Sequence, residues 1–211
     1  MNPTRSCPIA LIVFNRPEYT KKVFEQIRGY RPTELFIIAD GPRTETERAV
    51  CEEVLTIVRD VDWPCKIYEN ISPTNIGCRK RISSGLDWFF DQVESGIILE
   101  DDCIPDVSFF PFCASLLERY ADDERVMMIT GDQPLRQFSS ETSYFFTRYY
   151  AIWGWATWRR AWQKYNDMKD WPTFKAQGAL QTFFSHRGAI AYFTELFDAA
   201  CLPTSNSWAT R

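Results

Sequence analysis

The chain has 211 residues, 45% hydrophobic and 25% charged, with a net charge of −4. That is the makeup of one globular domain with a sizeable core. The acidic balance and the lack of a basic stripe exclude nucleic acid as the expected partner. The longest apolar runs, such as residues 8–14, are too short to span a bilayer, and residues 1–7 show no signal-peptide pattern. Seven cysteines lie at irregular spacing with no Cys-x-x-Cys, and His186 is the single histidine. This inventory points to free thiols in a reducing cytoplasm and away from zinc.

Residues 8–14 read as a first buried strand, and Pro17 suits the first position of the helix after it. Tyr19, Val23 and Ile27 recur on one face of that helix, with Gly29 as its stop. Leu35–Asp40 is a second strand running into an acid, broken by Gly41-Pro42. Thr44 and Glu47 have capping-box spacing, ahead of a stripe through Val50, Val54, Ile57 and Val58. Cys65–Tyr68 is a short, weak strand, and Asn75-Ile76-Gly77-Cys78 makes a turn. Ile82, Leu86, Phe89, Phe90 and Val93 have strong helical spacing. Arg79, Lys80 and Arg81 at its start read as a solvated face from which one cation reaches a ligand. Gly96–Leu99 is an apolar strand that runs straight into Glu100-Asp101-Asp102. Asp106 stands where it can cap a helix carrying Phe109, Phe110, Cys113, Leu116 and Leu117.

Strand and helix alternate through residues 8–120, which predicts an α/β fold with a mostly parallel sheet covered on both faces. Residues 126–130 add a strand. Residues 144–162 then hold nine aromatics in nineteen positions, which reads as a subdomain core or as a platform for sugar rings. Helical spacing returns from 179 to 197. His186, in that stretch, reads as structural before catalytic.

Parallel sheets bind ligands beyond the carboxyl ends of their strands, and Arg16, Asp40 and the acid triplet all fall there. Three adjacent carboxylates repel and call for a cation. Hard oxygen ligands point to Mg²⁺ or Mn²⁺, whose shells are commonly completed by phosphates. Arg16 at a helix start opposes the helix dipole, a conflict that a bound phosphate removes.

Ala39-Asp40-Gly41, Asn75-Ile76-Gly77, Leu99-Glu100-Asp101-Asp102 and Gly154-Trp155, in that order, resemble the motifs of nucleotide-sugar-dependent glycosyltransferases of the GT-A fold. The likeness covers about residues 1–165. Within that fold the chain is similar to a bacterial branch close to N-acetylglucosaminyltransferase I, whose acid triplet also precedes a helix start like Asp106–Phe110. The resemblance implies a single domain over 1–211, with a nucleotide-binding half (1–120) and an acceptor-side half (121–211) that stops short of its relatives. It implies a nucleotide-diphosphate sugar as donor and a saccharide or other hydroxyl as acceptor. Asp102 would bind Mn²⁺ or Mg²⁺, with Asp101 beside it. Glu100 and Asp101 would contact ribose or metal-bound water, and Arg16 the nucleotide or diphosphate. Asp40 would hold base or ribose, Asn75 and Gly77 would shape the pocket, and Arg79 would lie near the diphosphate. Trp153, Gly154 and Trp155 would line the donor-sugar and acceptor side.

In the inverting relatives a later Trp-Asp segment supplies the general base. The matching place here, Trp208-Ala209-Thr210, has no acid, so Asp132 and Asp198 are the remaining candidates. Two other functions stay open: a sugar nucleotidyltransferase, although Asn15-Arg16-Pro17 is not the Gly-rich loop such enzymes use, and a non-catalytic sugar-binding protein. The expected location is cytoplasmic, with peripheral membrane contact through the aromatic block left open.

Overall fold

The computed structural model describes residues 6–133, 141–166, 168–202 and 205. The chain first winds β1 (Ile9–Val13), α1 (Pro17–Tyr30), β2 (Glu34–Ala39), α2 (Glu45–Arg59) and β3 (Lys66–Ile71). It then crosses back through α3 (Cys78–Phe90) to β4 (Ser95–Glu100), followed by α4 (Phe109–Arg119). Two short strands, β5 (Ile129–Thr130) and β6 (Trp155–Trp158), complete a six-stranded sheet in the order β3-β2-β1-β4-β6-β5. The pairs among β1 to β4 are parallel, while β6 is antiparallel to both β4 and β5. The molecule is thus α/β with a mostly parallel, mixed sheet between two layers of helices.

Alternation along the strands sorts the core into two layers. Ile9, Leu11, Val13, Leu35, Ile37, Ile97 and Leu99 face α1, α2 and α4. Ala10, Ile12, Phe36, Ile38 and Ile98 face α3 and the short α5 (Arg159–Trp162). Because both faces are covered, β1, β2 and β4 read as unbroken apolar runs. β3 is the sheet's edge and half exposed, which explains its weaker signal. On the α3 side, Phe36 meets Phe89 edge-on at 4.9 Å and stacks on Tyr68 at 4.3 Å.

Several local expectations are corrected. Tyr19 is exposed, and the buried stripe of α1 is Thr20, Val23, Phe24 and Ile27. Helix α1 passes through Gly29 and ends at Arg31, whose left-handed backbone brings its N–H to the Ile27 carbonyl. Thr44 does cap α2, accepting from the Glu47 N–H at 3.3 Å. The reciprocal half of a capping box is missing, because the Glu47 carboxylate turns to Arg43 and Asn15. Arg81 is not on a solvated face: it shares the buried stripe of α3 and donates to the Asn70 carbonyl and side-chain oxygens. The strand expected over 126–130 is regular only at Ile129–Thr130.

The aromatic block divides in two. Its second part is not a separate subdomain core but β6, buried in the main sheet beside β4. There Trp158 Nε1–H donates to the Leu117 carbonyl at 3.0 Å. The helical stretch at 179–197 also divides, into α7 (Ala179–Phe183) and α8 (Arg187–Ala200), with His186 as the exposed residue before α8. With α6 (Trp171–Ala176) these helices enclose a small cluster of Trp171, Leu180 and Phe193. Among the described residues, no helix is long and apolar enough to cross a membrane.

Because the Phe89 ring fills the centre of the α3 layer with no exposed area, Phe89→Ala is expected to cost about 3–5 kcal/mol in chemical denaturation.

Candidate functional site

Winding reverses between β1 and β4: β2 and β3 extend the sheet to one side, and the chain then returns to the other. Loops leave the two strands in opposite directions there, opening a crevice at their carboxyl ends. Pairing of Ile12 with Glu100 puts Phe14-Asn15-Arg16 directly beside Asp101 and Asp102. The Phe14 N–H donates to Asp101 Oδ2 at 3.3 Å, so the first loop is tied to the second. Arg16 then reaches across. A single guanidinium nitrogen, Nη1, lies 3.4 Å from Asp101 Oδ1 and 2.5 Å from Asp102 Oδ2. The positive group demanded by the acid triplet is therefore supplied first by the chain itself.

The two acids differ in environment. The Asp101 side chain is 10% exposed and that of Asp102 46%. Burial pushes the Asp101 carboxyl up to about 6, an effect that Arg16 only partly offsets. Arg16 keeps its charge firmly, held chiefly by Asp101, with Asp102 and Glu100 adding to the field. Two thiols flank the acids, and burial pushes both up, Cys103 to about 12.

Asp40 has a different task. Its Oδ1 accepts from the Gly41 and Ile76 N–H groups and its Oδ2 from Gly77, each at 3.0 Å. Asn75 Nδ2 donates in turn to the Gly41 carbonyl at 3.0 Å. The carboxylate thus sits at the N-terminus of α3, where backbone N–H groups favour an anion, and it clamps the β2–α2 and β3–α3 loops together. Gly41 is required by this approach: a Cβ there would lie 2.6 Å from the Thr74 backbone. Gly77 adopts a φ of 87°, a conformation that glycine tolerates best.

A cleft of about 1610 Å³ opens from Asp102. Its walls come from the 103–109 loop, α4, residues 125–133 and the loop 142–154, with Tyr149, Tyr150 and Trp153 among its rings. Trp153 and Gly154 line it. Trp155 does not: it is the first residue of β6 and packs in the core against the α3 layer, because adjacent strand residues point to opposite faces.

Of the two base candidates, Asp132 lines the cleft, and among the described residues its buried Oδ2 has no hydrogen-bond partner. Asp198 lies on α8, outside the cleft lining. Lys175 Nζ at 2.6 Å and Trp171 Nε1 at 3.0 Å hold it, and the Lys175 contact leads in lowering its proton affinity. A carboxylate so held is a weak base. Trp208-Ala209-Thr210 lies outside the described residues. Arg79 is half-buried in the first turn of α3.

Sequence reasoning missed the neighbouring Asn15, Arg43 and Glu47. Glu47 takes a 2.6 Å bond from Asn15 Nδ2, a 2.7 Å bond from the Arg43 N–H and the Arg43 guanidinium. Arg43 leads in holding Glu47 down at about 2, so the network persists across the neutral range. The only hint was the third-position acid after Thr44, which reads equally well as a cap.

Among the described residues, no three His, Cys, Asp or Glu side chains converge into a ready metal cage. The donor set instead fits a hard ion bound by one or two carboxylates with phosphates and water completing its shell. Asp102 is the exposed member with coordinating capacity, since among the described residues its Oδ1 has only the Cys103 thiol at 3.7 Å. No protein-family model matches the chain, and no curated protein matches it.

Two consequences can be measured. Asp40→Ala removes the acceptor of one buried and two part-buried N–H groups and should cost about 1–3 kcal/mol in chemical denaturation, while Asp40→Asn retains part of the clamp. Asp101 binds its proton more tightly folded than unfolded, so native stability falls as pH rises from about 4 through about 6. In EDTA-containing buffer, the stability gap between Asp101→Asn and wild type should move by about 3 kcal/mol in the variant's favour between pH 4 and pH 7. A gap independent of pH would contradict the buried, costly carboxylate.

Proposed function

We propose that this chain is a metal-dependent glycosyltransferase of GT-A type. It moves a sugar from a nucleotide-diphosphate donor to an acceptor hydroxyl, with inversion. The observation that carries this reading is the meeting of Arg16, Asp101 and Asp102 at the reversal between β1 and β4, opening directly into an aromatic-walled cleft. Arg16, Asp102 and a cleft of about 1610 Å³ are adjacent there, which supports a cation for phosphates, a carboxylate for a metal and room for sugar and acceptor.

Asp102 would hold Mn²⁺ or Mg²⁺ together with the donor's diphosphate, and the ion supplies Lewis-acid stabilisation of the leaving group. Arg16 turns its guanidinium to the phosphates and fixes their orientation. Asp101, held by the Phe14 N–H, keeps the rim in register for ribose or metal-bound water. Tyr149, Tyr150 and Trp153 offer ring faces to the sugar and acceptor, whose C–H faces are apolar. Asp132 accepts the proton of the acceptor hydroxyl as its oxygen attacks the anomeric carbon. The anomeric C–O bond breaks, and its electron pair leaves with the nucleoside diphosphate.

Calorimetric titration of UDP and other nucleoside diphosphates, with and without Mn²⁺, tests this reading. Binding should require Mn²⁺, and Asp102→Ala should remove that dependence while leaving the thermal transition in place. Asp132→Asn should bind nucleotide normally and lose transfer by about 10²–10⁴-fold. Nucleotide binding indifferent to metal would refute the transferase. Metal-dependent binding by wild type with no sugar transfer or donor hydrolysis would point to a binding protein.

A further inference from the structure

The pairing of Arg16 with both acids has a second implication, which rests on the metal–diphosphate reading of the site. We propose that Arg16 is a built-in counter-ion that keeps the acid pair closed to a bare divalent cation and yields it only to a cation arriving with its diphosphate.

Three observations support this role. First, Nη1 lies between Asp101 Oδ1 and Asp102 Oδ2, a position where one positive charge answers both carboxylates. A dication drawn to the same oxygens would have to expel the guanidinium or stand against its charge. Second, the Arg16 side chain is free to leave. It is 52% exposed, it stands at the N-cap of α1, and among the described residues its guanidinium hydrogen-bonds only to these two carboxylates. The backbone is held independently, since the Arg16 carbonyl accepts from both the N–H and the hydroxyl of buried Thr20. A swing of the side chain therefore costs no secondary structure. Third, the exit is asymmetric. Asp101 keeps the Phe14 N–H when Arg16 departs, whereas Asp102 loses the one charged partner it has among the described residues and becomes an open ligand.

A diphosphate reverses the balance. Its oxygens give the guanidinium a planar, multiply bonded partner, and its two negative charges cancel those of the incoming ion. Metal and donor together add little net charge to the rim and give Arg16 new phosphate partners, whereas metal alone takes its carboxylates and offers the guanidinium no anion in exchange. The site would thereby favour ordered loading, and free divalent ions would not accumulate on the acids between turnovers.

The test separates two binding events on the intact chain. Mn²⁺ alone is titrated by electron paramagnetic resonance of the free ion. UDP is titrated by calorimetry at saturating Mn²⁺. Wild type should bind bare Mn²⁺ weakly. Arg16→Gln should bind it roughly tenfold or more tightly while binding UDP–Mn²⁺ roughly tenfold or more weakly. A loss of fold cannot produce these opposite signs. Arg16→Lys should stay close to wild type toward bare Mn²⁺, because the charge is kept. The double variant with Asp102→Ala should lose the Mn²⁺ gain. Bare Mn²⁺ bound no more tightly by Arg16→Gln than by wild type would overturn the proposal. So would undiminished UDP–Mn²⁺ affinity in that variant. Failure of the transferase reading shows elsewhere, as an absence of Mn²⁺-dependent nucleotide binding by wild type in the calorimetric arm.

Discussion

A parallel sheet that reverses its winding leaves an opening beside the strands where the reversal occurs, and this chain places most of its unusual chemistry there. The reversal lies between β1 and β4. Everything on the rim depends on the register of those two strands, which pairs Ile12 with Glu100. A slip of one residue would send the apolar residues of β4 to the wrong faces and carry Asp101 away from the Phe14 N–H. The site and the core are therefore fixed by the same ladder.

Rim charges are built in two tiers. Asp40 is deep and held by three backbone N–H groups, and Asp101 is deep and held by the Phe14 N–H and Arg16; both tie loops in place. Asp102 and Arg16 are shallow, and Arg16 bridges Asp102 to Asp101. Deep charges cost desolvation and are kept only where hydrogen bonds compensate. Shallow ones cost little to rearrange, which suits groups that must exchange partners with a ligand. The division puts rigidity below and exchangeable chemistry above.

Much of this organisation is legible in the residue order. β1, β2 and β4 announce themselves as apolar runs ending at polar residues, and the acid triplet stands out because adjacent like charges need an answer. Other features are silent for identifiable reasons. An aspartate at a strand end looks the same whether or not it also clamps two loops, as Asp40 does. Arg16 and Asp101 are 85 residues apart, so their pairing follows only from sheet register. β6 is hidden because Trp155-Ala156-Thr157-Trp158 sits in a run of large rings, where bulk masks the alternation of a strand. Its antiparallel return to β4 also depends on a long, non-local connection. Arg81 was misread because three consecutive cations suggest a solvated face, yet the third lies on the same stripe as Gly85 and Phe89.

The two ends of the sheet differ in how they meet a stray strand. At one end β3 presents a six-residue ladder, yet Lys66 and Glu69 stand along it and Glu69 is engaged by Arg59. At the other, β5 offers only two residues. A second chain in extended form would find charge along one border and almost no length along the other. Such borders discourage edge-to-edge templating, the route by which exposed sheets recruit copies of themselves.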